Sequence, residues 1–140
     1  MKTASATASG SCLCGAIAFT GRLPSRWVAH CHCSRCRHAH GAAFVTWVGL
    51  DADGVDVRDA DARLSWYRAE GGGERGFCSV CGSTLFFRSP NWPGELHLVL
   101  ANIDGPVDRV PQAHVYWDTH VDWVQIDDEL PKKPAPGVAP

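Results

Sequence analysis

Apolar and polar residues alternate along this chain in short runs, broken every few positions by glycine, proline or aspartate. That rhythm has the period of strands, not of helices. The clearest case is Glu95-Leu96-His97-Leu98-Val99-Leu100, which puts the three leucines on one face and His97 on the other. Val55-Asp56-Val57-Arg58 and Leu64-Ser65-Trp66-Tyr67-Arg68 alternate in the same way. Ala43 to Leu50 is a denser run of apolar, β-branched and aromatic residues and predicts a further strand. Ala16 to Thr20, Trp27 to Ala29 and Ser83 to Phe87 are also strand-like. His114 to Trp117 and Val121 to Val124 read as two late strands or extended segments. Asp51-Ala52-Asp53-Gly54 is a turn signal, and Glu70-Gly71-Gly72-Gly73-Glu74 a flexible loop. No 3.6-residue pattern is sustained; one short turn of helix fits Ser34 to His40. The pattern predicts a single all-β domain of short strands over residues 10–131. A floppy start covers residues 1–9, and a proline-rich extended tail covers 132–140.

Length agrees with one domain, since 140 residues suffice for one buried core. Trp27, Trp47, Trp66, Trp117 and Trp123 supply bulk for that core, while Trp92, between Asn91 and Pro93, suits a pocket wall. A net charge of -2 argues against wholesale nucleic-acid or acidic-membrane binding. No apolar run is long enough to span a bilayer. The first nine residues lack the apolar stretch of a secretion signal, which places the chain in the cytoplasm.

In a reducing compartment, clustered cysteines are metal ligands more often than disulfides, and seven cysteines leave one unpaired in any disulfide scheme. Cys12-Leu13-Cys14-Gly15 and Cys78-Ser79-Val80-Cys81-Gly82 each place two thiols and a glycine just before a strand-like run. Facing each other, the two turns supply the four sulfurs of a closed tetrahedral zinc site. In the competing partition Cys78 and Cys81 join Cys31, Cys33 and Cys36. Those three lie in His30-Cys31-His32-Cys33-Ser34-Arg35-Cys36-Arg37-His38. A three-cysteine zinc site leaves one position open, as zinc catalysis requires. Alternatively His32 or a distant histidine closes the site, or the thiols are metal-free redox groups. Arg35 and Arg37 are either a solvated pair or the attractors of an anionic substrate. His97 and His114 are either pocket-lining or structural.

Three motifs in this order resemble the glutathione-dependent formaldehyde-activating enzyme family: Ser11 to Ile17, Cys31 to Arg37, and Phe77 to Ser83. Pro111, His114-Val115-Tyr116, Trp123 and Leu130-Pro131 are similar to that family's C-terminal pattern. The resemblance spans Gly10 to Pro131 and implies a β-tent of antiparallel sheets. It implies a structural zinc on Cys12, Cys14, Cys78 and Cys81. It also implies a second, labile, catalytic zinc on Cys31, Cys33 and Cys36, open towards a small thiol such as glutathione. The implied activity is that of a carbon–sulfur lyase acting on a thiol adduct such as S-hydroxymethylglutathione. The rival reading is a non-catalytic, zinc-stabilised binding module.

Overall fold

The structure of the chain, a computed structural model, describes residues 6–137. Twelve regular elements carry the argument. They are β1 (Thr7–Ser11), β2 (Ala18–Arg22), β3 (Trp27–Cys31), α1 (Ser34–His40), β4 (Val45–Asp51) and β5 (Val55–Arg58). Then follow β6 (Leu64–Arg68), β7 (Glu74–Cys78), β8 (Thr84–Arg88), β9 (Glu95–Val99), β10 (Ile103–Asp104) and β11 (His114–Val115). The chain is all-β apart from α1 and three 3-10 turns, as its alternation predicts.

The strands form two sheets. The smaller runs β10-β1-β2-β5 and the larger β11-β3-β4-β9-β8-β7-β6. Every pairing is antiparallel except β11 on β3, which is parallel because the chain returns from β10 through a long connection. Period two then divides β4. Val48 and Leu50 meet Phe19, Phe86 and Leu98 in the core between the sheets. Val45 and Trp47 face the other way and join Cys31, Cys36 and Val99 in a second cluster. Thus β3, β4 and β9 of the large sheet bury side chains on both faces, while at the β6 edge Tyr67 is exposed.

Three expectations are corrected. The start is not floppy through residue 9, because Thr7 to Ser11 pairs along its whole length with β2, and Ala8 is buried. Residues 1–5 lie outside the described residues, as do 138–140. The stretch from Val121 to Val124 is a series of bends, and Trp123 is 70% exposed, so it contributes nothing to the core. The tail is not free from residue 132. Lys133 N–H donates to the His114 carbonyl at 2.8 Å, His114 N–H to the Pro131 carbonyl at 2.8 Å, and Trp117 N–H to the Lys133 carbonyl at 2.9 Å. Among the described residues, no helix is long and apolar enough to cross a membrane.

On the second face one row of residues crosses five strands. Trp27 stands opposite Gly49, Gly49 opposite His97, His97 opposite Phe87, and Phe87 opposite Arg75. Gly49 has no side chain, so the Trp27 indole lies across it and meets the His97 ring edge-on at 4.6 Å. A methyl group at Gly49 would overlap that indole. Gly49→Ala is therefore expected to cost about 1–3 kcal/mol, the usual penalty for overpacking. Urea unfolding followed by tryptophan fluorescence measures it, and an unchanged midpoint would show that the indole yields freely.

Candidate metal centre and active-site cavity

The two Cys-Gly steps fold into matched turns. Cys12 N–H donates to the Ile17 carbonyl, and Cys78 N–H to the Ser83 carbonyl, both across five positions. Each turn ends on a glycine in the left-handed region, Gly15 at φ 82° and Gly82 at φ 80°, where a Cβ is disfavoured. One turn joins β1 to β2 in the small sheet; the other joins β7 to β8 in the large one. Leu13 N–H donates to Ser83 Oγ at 2.9 Å and ties turn to turn.

The result brings Cys12, Cys14, Cys78 and Cys81 together, with all four sulfurs within 4.8 Å of one another. A tetrahedral ion with bonds of about 2.3 Å to sulfur sets its ligands about 3.8 Å apart. Cys12 and Cys14 sulfurs stand 3.7 Å apart, and Cys14 and Cys78 sulfurs 3.8 Å. The donor set therefore fits zinc in both chemistry and spacing. Ser83 Oγ lies 3.2 Å from Cys81 Sγ; its hydroxyl, with backbone N–H groups, lowers that thiol to about 5, into the range where it is a thiolate ligand. Cys78 belongs to this quartet, so the partition that joined it to the other three cysteines does not occur.

Cys31 ends β3, Cys33 caps α1, and Cys36 lies on the buried side of α1. Thiol hydrogen bonds from Cys31 and Cys36 hold Cys33 far below the ordinary thiol range, and the sharing with Cys33 raises Cys31. Among the described residues the quartet is the only group of three or more side chains gathered closely enough to hold a metal ion; Cys31, Cys33 and Cys36 form no such group. His32, the nearest imidazole in sequence, is turned to His114 instead, with Nε2 2.8 Å from its Nδ1. His114 in turn contacts the Asp128 carboxylate at 2.9 Å. That chain of polar groups, two buried imidazoles ending on an exposed carboxylate, explains His114 as structural.

The three cysteines open into a cavity of about 690 Å³. Its floor is the cross-strand row of Trp27, His97, Phe87 and Arg75, with Trp47 beside it. Trp92 forms part of its wall, as expected, and packs on both Phe87 and His97. His97 thus borders the pocket, while burial lowers its pKa although it bonds Glu95. Arg35 lines the cavity and Arg37 does not. Arg35 Nη1 also donates to the Glu70 carbonyl at 3.0 Å, which docks α1 on the glycine loop. That loop is a hairpin turn with bonds of its own, from Ala69 N–H to Gly73 and from Gly72 N–H to Ala69.

Sequence reasoning missed Arg75. It is 9% exposed, its Nη2 donates to Cys36 Sγ at 3.5 Å, and its guanidinium lies 5.0 Å over the Phe87 ring. Nη1 is buried without a partner. The only signal was an arginine inside a strand leading to a Cys-Gly turn, and its depth depends on pairing. Lys133 also lines the cavity and was not singled out; Tyr116, noted above only within the C-terminal pattern, lines it as well.

Fold and site together define a small β protein with a four-sulfur centre that could hold a metal ion and a separate cavity lined by three further cysteines. The chain belongs to the glutathione-dependent formaldehyde-activating enzyme family, whose sequence model matches residues 7–119. A Halomonas elongata protein that carries this family name as a provisional assignment is 36% identical over 126 residues, covering 84% of this chain and 80% of its own. An uncharacterised lyase of Schizosaccharomyces pombe is 29% identical over 82 residues, covering 59% of this chain and 58% of its own. The fold is shared with the crystal structure of a Rhodobacter sphaeroides protein, at a TM-score of 0.60 and 24% identity, over 74% of this chain and 97% of that one.

Two predictions follow from this geometry. Cys78→Ser breaks the quartet at its most buried sulfur. Metal binding at such a site supplies folding energy, about 10–16 kcal/mol in small zinc domains, so the variant should lose one zinc and fail to fold. A folded Cys78→Ser protein with its full metal content by atomic absorption would refute this.

Burial holds His32 near 4, with neighbouring histidines adding to the shift; burial and then Arg75 do the same for His40. Unfolded, both titrate near about 6.5, so the unfolded chain binds more protons between pH 6.5 and 4. Their contribution to stability is full above pH 6.5 and is lost as pH falls towards 4. The urea midpoint should drop from pH 7 to pH 5, and drop less in His40→Gln. Equal declines in the two chains would contradict the assignment for His40.

Proposed function

We propose that this chain is a zinc-dependent enzyme that forms or cleaves the carbon–sulfur bond between a small carboxylate-bearing thiol, such as glutathione, and formaldehyde. The observation that carries the reading is the cavity itself. It is lined by three cysteines, is floored by aromatic rings, and has Arg35, Arg75 and Lys133 but no carboxylate among its lining residues. A volume of about 690 Å³ suits a ligand of tripeptide size. The relatives' names, a formaldehyde-activating enzyme and a lyase, agree with this chemistry.

In this reading Cys12, Cys14, Cys78 and Cys81 hold a structural zinc, and Cys31, Cys33 and Cys36 hold a second, labile one. When bound at the three cysteines, zinc would polarise a carbonyl and favour the ionised form of a thiol. Everything else falls to the chain. Arg35 and Lys133 attract the carboxylates of the incoming thiol. Trp27, Phe87 and Trp92 exclude water, which strengthens each charge interaction inside. Arg75 beside Cys36 balances negative charge on sulfur. The thiolate of the substrate gives an electron pair to the aldehyde carbon and forms the carbon–sulfur bond. The π pair moves to oxygen, which takes a proton from water to give the hydroxymethyl thioether. Cleavage is the reverse. Holding the two reactants together is the main contribution to rate. Seven free cysteines suit a reducing compartment, and we assign the chain to the cytoplasm.

His32 is committed to His114, so a protein imidazole does not close the three-cysteine site in this reading. The chain should accelerate exchange between formaldehyde and its glutathione adduct, followed by carbon-13 magnetisation transfer. Cys33→Ser should lose about tenfold or more of that rate and keep a parental melting temperature. Mild chelation should remove one zinc first, with the circular dichroism spectrum intact. A parental rate in Cys33→Ser would sink the catalytic role of this site. Simultaneous loss of both metals and the fold would make the cluster structural and favour the binding module.

A further inference from the structure

Residues 131–136 are built into the cavity wall. His114 N–H donates to the Pro131 carbonyl at 2.8 Å, and Lys133 N–H to the His114 carbonyl at 2.8 Å. Trp117 N–H takes the Lys133 carbonyl at 2.9 Å, and Ala135 N–H donates to Asp118 Oδ1 at 2.7 Å. Lys132 pairs with His114 in a parallel bridge, and its ammonium lies 5.2 Å over the Trp117 ring. Prolines at 131, 134 and 136 fix φ through the segment, so little entropy is lost in holding it there. Lys133, Pro134 and Pro136 then line the cavity. The family match ends at residue 119, so this wall lies outside it.

The wall brings a third cation to a cavity whose lining residues include no acid. Among the described residues, none of Arg35, Arg75 and Lys133 is in an ion pair. The first two have other commitments, Arg35 to the Glu70 carbonyl and Arg75 to Cys36 and Phe87. Both backbone groups of Lys133 are held, yet its ammonium has no partner among the described residues. A backbone fixed this firmly beneath a free ammonium is a placed charge.

We infer that Lys133 is a specificity-determining residue that binds a carboxylate of the thiol substrate, so that the C-terminal wall selects anionic thiols over neutral ones. The inference rests on the thiol reading above and adds to it the element that discriminates. Lys133 sits at the exposed rim, where charge pairs are modest and screened by salt.

Titration calorimetry on the metal-containing protein tests this with glutathione and with its diethyl ester, in which both carboxylates are masked. The parent should bind glutathione more tightly than the ester, and added salt should narrow the gap. Lys133→Gln should weaken glutathione binding about three- to tenfold, and Lys133→Glu more, with ester binding unchanged. Melting temperatures should match the parent, because the ammonium supports no other group. If both ligands bind and their affinity ratio is the same in Lys133→Glu as in the parent, the inference fails and the thiol reading stands. If the parent binds neither ligand, the thiol reading fails and takes the inference with it.

Discussion

Two cysteine turns, far apart in sequence, meet as one four-sulfur centre, and the rest of the molecule depends on that meeting. One turn belongs to the β1–β2 hairpin and the other to β7–β8, so a metal held there would fasten the small sheet to the large one. Closing so long a loop is costly in chain entropy. No disulfide ties either sheet, since all seven cysteines are free thiols. The ends of β7 and β8 are fixed at this junction. Those strands carry Arg75 and Phe87, so the cavity floor inherits its position from the sulfurs.

The large sheet can host a site because its two faces bury different things. One face is a conventional apolar core, with Phe19 edge-on to Phe86 at 5.5 Å. The other is half built of polar groups that apolar neighbours keep dry. Glu95 accepts from Trp27 Nε1 at 3.1 Å and contacts His97 Nε2 at the same distance, so these rings are oriented by one carboxylate. Arg75 is buried at the cost of desolvation, which its contacts with Cys36 and the Phe87 ring offset. Cys31 and then Arg75 pull Cys36 towards its charged form, but its other thiol neighbour Cys33 and burial outweigh that pull and leave Cys36 above the ordinary thiol range.

The histidines serve the frame more than the chemistry. His114, 1% exposed, links β3 through His32 to the C-terminal segment through Asp128. Phe44 and Trp117 pack against the same rings. Anchoring the segment there brings Lys133 to the cavity, so a buried polar network behind the cysteines shapes their far wall.

Much of this was legible in the chain. Period two predicts the strands because local sterics and one buried face are enough to set it, as at Glu95 to Val99. The two Cys-Gly steps predict their own turns, since a glycine of positive φ and two thiols are local features. Register is not local. That Gly49 makes room for Trp27, and that His97, Phe87 and Arg75 line up beside them, follows only from which strands pair. An arginine in Glu74-Arg75-Gly76-Phe77 looks solvated until the sheet buries it under α1. A proline-rich end looks like a tail because proline removes backbone donors. Only the carbonyl and N–H groups that β11 and Trp117 leave unpaired turn it into a wall.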